Sequence, residues 1–320
     1  MSAIVMDGTA LANRLAHETA QRARVVEQRL GRTVRLATVL VGDDPASRTY
    51  LRMKVNQCTE AGIAAQGHEL AADASTEHVV RLVRRLSFDP EVDGILVQHP
   101  VPQQVDERAV FEAVAPSKDV DGVTSASFAA MAFNQPGFAS CTPAGIMRLL
   151  DAYDVPTTGQ HAVVVGRSPI LGKPIGMLLL ARDATVTFCH SKTVDLPEVV
   201  GRADILIAAV GRPALIHGDW IQSGAVVIDA GYNAGNIGDV DHASAANRAS
   251  FITPVPGGVG PMTLAVFAGQ HRPRCGAASP TRCRRPRARV WGLQLPRRPE
   301  PDRLRPPPAV LSGVVVMVRT

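Results

Sequence analysis

The hydrophobic and polar positions of residues 1–270 follow two alternating patterns. Short apolar runs in "TVRLATVLVG" and "EVDGILVQ" are typical of buried strands, whereas residues around 46–62 and 76–88 have the spacing of amphipathic helices. Strands joined by helices run parallel, because the chain has to return along the sheet before it starts the next strand. The pattern therefore predicts βαβ layering in the first half of the chain.

A second series of the same kind begins with "HAVVVGRSPILGKPIGMLLLARDATVTFCHS" and continues through "ADILIAAVG" and "GAVVIDAGYN". Each strand-like run ends in a glycine or a polar turn, as in doubly wound parallel sheets. A chain of 320 residues is long enough to bury two cores. We predict an α/β protein with two βαβ-layered domains, at about 1–138 and 139–267, and a cleft between them that holds the ligands.

The net charge of +5 does not belong to these two domains. Residues 271–320 contain 12 arginines, nine of the 24 prolines and two acids, whereas residues 1–270 carry 22 basic and 27 acidic side chains. The composition therefore argues against a nucleic-acid-binding surface on the folded region. We expect residues 268–320 to be an Arg/Pro-rich tail that is disordered and has no part in the chemistry.

Neither the start of the chain nor its cysteines indicates an extracellular protein. No N-terminal stretch resembles a secretion signal, and no apolar segment approaches the roughly 20 residues that span a bilayer. We expect a cytoplasmic protein that does not bind membranes. The five cysteines contain no CxxC pair, which indicates reduced thiols and no metal site: Cys58, Cys141, Cys189, Cys275 and Cys283.

The first turn of the second series predicts nucleotide binding in a Rossmann-type domain. In "VVVGRSPILGKP", Gly166 ends a strand, and Gly172 and Lys173 lie at the start of the next helix. Free backbone amides and the helix dipole at such a position favour a pyrophosphate. The spacing is not G-x-G-x-x-G, and glycine also ends strands for structural reasons alone, so the motif by itself leaves both interpretations open.

The next strand ends in "CHSKT", where a fold specific for NAD usually offers an acid to the ribose hydroxyls. Arg167, Ser191 and Lys192 would instead form a cationic pocket that suits a ribose 2′-phosphate. The pattern favours NADP over NAD, and a solvated basic turn is the alternative. The later "TPVPGGVGPMT" contains three prolines and three glycines, which favours a ligand-facing loop near the carboxyl ends of the strands.

Two features of the first half suit a flat heterocyclic ligand. In "SRTYLRMK", Ser47, Tyr50 and Lys54 share one helix face, which is either a binding face or plain surface. Gln98 ends a strand, and "PSKDVDG" places Asp119 and Asp121 in a loop. A carboxylate accepts the paired donors of a pterin-like ring, but acids in such loops also cap turns, and the spacing alone does not distinguish the two.

Seven motifs together resemble the bifunctional methylenetetrahydrofolate dehydrogenase and methenyltetrahydrofolate cyclohydrolase family. They are, in order, "VGDDPASRTYLRMK", "GILVQHPVP", "KDVDG", "CTPAGI", "VVGRSPILGKP", "TVTFCHSKT" and "PVPGGVGPMT". The resemblance covers nearly all of residues 1–267. It implies NADP-dependent oxidation of methylenetetrahydrofolate, hydrolysis of the methenyl product, a homodimer joined through the NADP domains, and a place in one-carbon metabolism and purine biosynthesis.

The resemblance also implies roles for particular residues. The catalytic and folate-facing set would be Tyr50, Lys54, Gln98 and Asp121, with Pro256, Gly257 and Gly258 also at the substrate. The NADP set would be Gly166, Arg167, Ser168, Ser191 and Lys192, with Tyr232 near the nicotinamide, where the family usually has a smaller aliphatic residue. Hydrolysis requires proton transfer, and Lys54 is the candidate. Either its pKa falls well below the usual value of about 10.4 and it acts as a base, or it stays charged and polarises the reacting centre.

Three departures from the family pattern keep alternatives open. "VTSASFAAM" follows "KDVDG" in place of the usual residues, His99 stands where leucine is common, and "LAVFAGQ" runs into "HRPRCG" where the family has a longer helix. His99 could be catalytic or a satisfied structural residue. The alternatives are a related two-domain dehydrogenase of the shikimate or amino-acid type, and a chain that binds NADP or folate without turnover.

Overall fold

Two parallel sheets organise the protein in the computed structural model, which describes residues 2–270. The strands are β1 (Ile4–Val5), β2 (Arg35–Val41), β3 (Ala64–Leu70), β4 (Gly94–Val97), β5 (His161–Val165), β6 (Thr185–Cys189), β7 (Ile205–Ala208), β8 (Val226–Asp229) and β9 (Phe251–Ile252). A three-stranded sheet has the order β3-β2-β4, and a six-stranded sheet has the order β1-β9-β8-β7-β5-β6. All their pairings are parallel, which confirms the predicted α/β fold class.

The helices connect and cover these strands. They are α1 (Gly8–Leu30), α2 (Pro45–Glu60), α3 (Thr76–Phe88), α4 (Glu107–Glu112), α5 (Ser125–Ala132), α6 (Cys141–Ala152), α7 (Gly172–Leu180), α8 (Leu196–Val200), α9 (His242–Ala245) and α10 (Val259–Gly269). The predicted helices around 46–62 and 76–88 correspond to α2 and α3. The central strands β5, β7 and β8 are buried almost throughout, because helices cover both faces of the sheet.

We call the three-stranded sheet with α2–α5 the first lobe, and the six-stranded sheet with α7–α9 the second lobe. The start of the chain contributes to the second lobe, since Ile4 and Val5 of β1 pair with Phe251 and Ile252 of β9. β1 and β9 were not predicted because two residues are too short for a periodic pattern. β3 was not predicted because it is an edge strand whose residues are mostly exposed.

α10 packs into the cores of both lobes. Its first turns place Val259 and Met262 among the core residues of the second lobe, whereas Val266 and Phe267 pack with Leu36 and the rest of the first-lobe core. The helix therefore couples the two lobes through buried apolar contacts. The tail predicted to be disordered begins too early at residue 268, because α10 runs to Gly269 and the Gln270 side chain is hydrogen-bonded. Residues 271–320 lie outside the described residues.

Candidate active site

A buried ion pair joins two of the predicted site residues in the first lobe. Lys54 lies on α2, whose start is capped by Asp44, with the Asp44 Oδ2 accepting from the Ser47 backbone amide at 2.7 Å. The Lys54 Nζ donates to the Asp121 Oδ2 at 3.0 Å, and the two side chains are only 2% and 10% exposed. The fold thus brings together a helix residue and a loop residue that are distant in the sequence.

Both groups of this pair are charged near neutral pH. Burial is the largest effect on Lys54 and lowers its pKa, but the charge of Asp121, with smaller contributions from Tyr50 and Cys141, raises the pKa above its usual value overall. Burial likewise acts to raise the pKa of Asp121, but Lys54 and His99 lower it below its usual value overall. Of the two protonation states considered for Lys54, the geometry favours the charged one.

Two aromatic rings lie near the Lys54 ammonium group. The Nζ is 5.4 Å from the ring centroid of Tyr50 and 5.1 Å from that of Phe267 on α10. Thr263 of α10 lies near the Tyr50 hydroxyl group, and burial raises the Tyr50 pKa. The sequence interpretation missed Phe267 because "LAVFAGQ" shows only an apolar helix and gives no sign of a cationic neighbour.

The two acids of "KDVDG" have separate functions in the fold. Asp119 accepts hydrogen bonds from the amides of Val123 and Thr124, at 3.0 and 2.9 Å, and from the Ser127 Oγ at 2.6 Å. It therefore caps the turn that leads into α5, as one of the two open interpretations proposed. Asp121 faces Lys54 instead.

Gln98 and His99 follow the end of β4. The Gln98 Nε2 donates to the His99 carbonyl oxygen at 2.7 Å, and within residues 2–270 no donor reaches the buried Gln98 Oε1. That oxygen is an acceptor free to meet a ligand donor. The His99 ring stands edge-on to Phe111 at 6.0 Å, and burial lowers its pKa. A neutral histidine packed on a phenylalanine fits the structural interpretation of His99.

The predicted ligand loop is held against α1 and leads directly into α10. The Gly257 carbonyl oxygen accepts from the Thr9 amide at 3.0 Å, and the Gly258 amide donates to the Pro254 carbonyl oxygen at 2.9 Å. Pro256 is exposed. Some of the special composition of this loop therefore serves backbone packing, and the contact of Pro256, Gly257 and Gly258 with substrate stays a prediction.

The turn after β5 admits only glycine at two positions. A side chain at Gly166, which has a φ of 134°, would approach the Ala209 carbonyl oxygen to 2.2 Å, and one at Gly172 would approach the Gly166 carbonyl oxygen to 2.4 Å. Such a close-packed strand-to-helix turn leaves the backbone open to a phosphate group. The glycines therefore fit a dinucleotide at this edge.

The expectation of free amides at the start of α7 is wrong for three residues. The Ser168 Oγ accepts from the amides of Leu171 and Gly172 at 3.1 and 3.2 Å, and the Ser168 carbonyl oxygen accepts from the Lys173 amide at 3.0 Å. These amides are therefore satisfied within the turn before α7. Ser168 thus shapes the turn.

The predicted 2′-phosphate residues follow two neighbouring strands of the second-lobe sheet: Arg167 comes after β5, and Ser191 and Lys192 come after β6. Val165 and Cys189 are partners in the β5–β6 pairing, so the turns that follow them are neighbours. The three side chains are exposed. Two cations and a hydroxyl group, with no acid between residues 189 and 193, fit a ribose phosphate better than a ribose diol.

Tyr232 lies after β8, in a loop ordered by two buried acids. Its side chain is 71% exposed and its hydroxyl group donates to the Asn236 Oδ1 at 2.6 Å. Asp239 accepts from three consecutive amides, of residues 210–212, at 2.6–2.9 Å, and Asp229 accepts from the amide of Asp239 at 2.9 Å. The sequence interpretation missed both acids. Asp229 begins "DAG" and Asp239 follows a glycine in "GDVD", and acids next to small residues are typical of such turns.

The described residues also limit the kinds of site. None of the helices in residues 2–270 combines the length and the apolar character that a membrane span requires. In the same residues, no cluster of three or more histidine, cysteine, aspartate or glutamate side chains is arranged to hold a metal ion.

The fold and the site define a two-domain α/β enzyme of the NAD(P)-dependent class. Comparison with protein families identifies it further. Residues 6–121 match the catalytic domain of tetrahydrofolate dehydrogenase/cyclohydrolase, and residues 140–271 match the NAD(P)-binding domain of the same enzymes. The chain belongs to the tetrahydrofolate dehydrogenase/cyclohydrolase family, as the motifs predicted, and the shikimate and amino-acid alternatives are set aside.

Individual relatives agree with this assignment. The chain is 65% identical over 270 residues to Bifunctional protein FolD 1 of Salinispora arenicola, covering 84% of this chain and 97% of that protein. It is 61% identical over 269 residues to Bifunctional protein FolD 1 of Streptomyces avermitilis, covering 84% of this chain and 94% of that protein. The crystal structure of the Campylobacter jejuni bifunctional enzyme FolD superposes with a TM-score of 0.82 at 37% identity, covering 84% and 97%. The Trypanosoma brucei enzyme, solved with NADP cofactor and an inhibitor, superposes with a TM-score of 0.81 at 34% identity, covering 85% of this chain and 96% of that chain.

Proposed function

We propose that this chain oxidises 5,10-methylenetetrahydrofolate to 5,10-methenyltetrahydrofolate with NADP and hydrolyses that product to 10-formyltetrahydrofolate. The observation that carries the proposal is the buried Lys54–Asp121 pair beside Tyr50, in the part of the chain that matches the family's catalytic domain. A buried ion pair costs desolvation energy, so its presence here suits chemistry better than stability.

The oxidation needs placement more than acid or base chemistry. NADP, when bound, supplies the hydride acceptor, and the nitrogen lone pairs of the folate stabilise the cation that forms. On the protein side, Tyr50 stacks on the folate and the Gln98 Oε1 accepts from it. Asp121 retains acceptor capacity beyond its bond to Lys54, because a carboxylate offers about four lone-pair sites, and it holds the pterin.

The hydrolysis needs a group that manages protons. Water adds to the methenyl carbon and loses a proton, and the bond from that carbon to one nitrogen breaks as the nitrogen is protonated. Lys54, held charged by Asp121, donates a hydrogen bond to this reacting centre. The raised pKa of Lys54 supports this donor role over that of a neutral base.

The second lobe binds NADP. Gly166 and Ser168 shape the turn for the pyrophosphate, while Arg167, Ser191 and Lys192 surround the 2′-phosphate. The relative solved with NADP and the family's NAD(P)-binding domain support this assignment. Tyr232 contacts the nicotinamide.

We further propose the wider setting of the enzyme. Residues 1–138 bind folate, residues 139–267 bind NADP, and residues 268–320 take no part in the chemistry. The chain forms a homodimer through its NADP domains and works in the cytoplasm, in one-carbon metabolism and purine biosynthesis. Light scattering on active protein tests the dimer, and a chain ending at Gln270 that loses turnover while staying folded would show that the tail is needed.

The deciding experiment is a pair of assays on one purified sample. NADP reduction is followed with methylenetetrahydrofolate as substrate, and the loss of methenyltetrahydrofolate is followed separately. Both activities are expected. Tight binding of NADP and folate without either turnover would instead establish the binding-only alternative.

A further inference from the structure

We propose that Phe267 is a positioning residue for Lys54: its ring holds the ammonium group in place and favours its charged state. The inference deepens the proposed hydrolysis and rests on it for its kinetic consequence. The Phe267 ring centroid lies 5.1 Å from the Lys54 Nζ, within the roughly 6 Å over which a ring face attracts a cation. Because Phe267 is fully buried and Lys54 is 2% exposed, little water weakens this attraction.

The ammonium group needs such a partner. It has three N–H donors, and within residues 2–270 the hydrogen bond to Asp121 accounts for one of them. The negative face of an aromatic ring stabilises the remaining positive charge without competing for the hydrogen bond that Lys54 is to make to substrate. An aliphatic side chain would fill the same volume and would lack this effect.

The ring is held firmly because α10 is fixed along its length. Thr263 donates to the Thr142 Oγ1 at 3.0 Å, and the Gln270 Nε2 donates to the Ala139 carbonyl oxygen at 2.8 Å and to the Cys141 Sγ at 3.1 Å. These contacts attach α10 to the start of α6. Phe267, which lies between Thr263 and Gln270, therefore has a fixed position relative to the Lys54 site.

Other ionisable groups also act on Lys54 and would remain if the ring were removed. They are Asp121, Tyr50, Cys141, His99 and Cys58. Asp121 would still favour the charged lysine, so loss of the ring is expected to weaken that preference without abolishing it. The effect to look for is a shift in the titration of Lys54, together with a loss in hydrolysis that oxidation does not share.

Lysine-selective isotope labelling makes the titration measurable, because the chain has only four lysines: Lys54, Lys118, Lys173 and Lys192. The full-length protein is labelled at the lysine Cε, the Lys54 signal is assigned with Lys54→Met, and spectra are recorded as the pH rises. In Phe267→Leu, Lys54 should titrate about half a pH unit or more below the parent protein. Phe138→Leu is the matched control, since Phe138 belongs to the same buried core cluster.

A Lys54 titration that is the same in the parent protein, Phe267→Leu and Phe138→Leu would overturn the proposal. So would an equal shift in both variants, which would indicate a general loosening of the core. If Phe267→Leu does not fold, Phe267→Met provides the same test with another side chain that lacks a ring.

Kinetics provide the second readout. Phe267→Leu should slow methenyltetrahydrofolate hydrolysis about 3- to 10-fold in kcat, with methylenetetrahydrofolate oxidation within about twofold of the parent rate. Equal losses in both reactions would argue for a merely structural role and against the proposal. If the parent protein hydrolyses no methenyl compound, the proposed function fails, and the titration still decides whether Phe267 acts on Lys54.

Discussion

Lys54 and Asp121 are separated by 67 residues in the sequence, and their Nζ and Oδ2 atoms lie 3.0 Å apart in the fold. The pair joins α2 to the loop before α5, and both partners are nearly excluded from water. In such surroundings a lone charge is costly, so each residue determines the protonation state of the other. The ion pair is therefore expected to affect both the reaction rates and the free energy of unfolding, and each can be measured separately.

Replacing Lys54 by methionine should nearly abolish the hydrolysis and spare much of the oxidation. The methionine fills the volume of the lysine stem but cannot donate to the reacting centre, and loss of such a group typically costs about 10²- to 10⁴-fold in rate. Oxidation should fall far less because it depends on placing the folate. The two reactions are measured from methylene- and methenyltetrahydrofolate, with substrate affinity determined in parallel. Hydrolysis at the parent rate would remove Lys54 from the chemistry.

The same pair predicts an asymmetric effect on stability. Lys54→Met alone leaves Asp121 buried without its counter-charge, which should cost about 3–5 kcal/mol in the free energy of unfolding. Adding Asp121→Leu removes the unpaired charge, so the double variant should be more stable than Lys54→Met. Urea unfolding of the parent, both single variants and the double variant measures this coupling. Additive effects would show that the two charges do not depend on each other.

The pH dependence of stability follows from the directions of the two pKa shifts. The pKa of Asp121 is lowered by folding, so its contribution is present above about pH 4 and is lost as the pH falls through the folded-state pKa. The pKa of Lys54 is raised, so its contribution is present below about pH 10 and is lost as the pH rises through the folded-state pKa. The difference in unfolding free energy between the parent and the double variant should therefore be largest between these limits. A difference that is constant from acid to alkaline pH would contradict the assigned charges.

Much of this fold could be predicted from periodicity, and the reason is physical. β2, β5, β7 and β8 are covered on both faces, so their sequences are continuous apolar runs, and the spacing of Tyr50 and Lys54 places both on one face of α2. β3 gave no such signal because its residues are mostly exposed at the sheet edge. The contact of Phe267 with Lys54 depends on how α10 crosses the first lobe, which no local pattern records.

The motifs of the site were informative to different degrees. Asp119 and Asp121 could not be told apart by spacing, because which acid caps the turn depends on the path of the loop toward α5. The glycines after β5 were recognised, but the use of three amides by Ser168 was not, because a serine in a turn has several possible partners. The resemblance to the family predicts that Asp121 holds the pterin, and the fold adds its bond to Lys54.

Replacing Arg167 by alanine should weaken NADP binding about 10- to 100-fold and leave NAD binding within about twofold. The guanidinium group makes charge-assisted hydrogen bonds to a phosphate, each worth about 1.5–3 kcal/mol, and NAD has no phosphate at this position. Lys173→Ala is the matched control, because Lys173 is an exposed cation of the neighbouring helix start whose side chain is not assigned to the pocket. Affinities are measured by titration of the purified protein with each cofactor. Equal weakening of NADP and NAD would refute the 2′-phosphate assignment.

Tyr50→Phe should have a small effect that distinguishes the ring from the hydroxyl group. The ring stays beside the Lys54 ammonium, 5.4 Å from its Nζ, and can still stack on the folate. What is lost is the hydroxyl group, and one hydrogen bond is worth about 0.5–1.5 kcal/mol, so hydrolysis should fall about 2- to 12-fold. Tyr50→Leu, which also removes the ring, should in addition raise the KM for folate in both reactions. If Tyr50→Phe impairs hydrolysis as severely as Lys54→Met, the hydroxyl group itself takes part in proton transfer, and Lys54 cannot be the only residue that manages protons at the methenyl carbon.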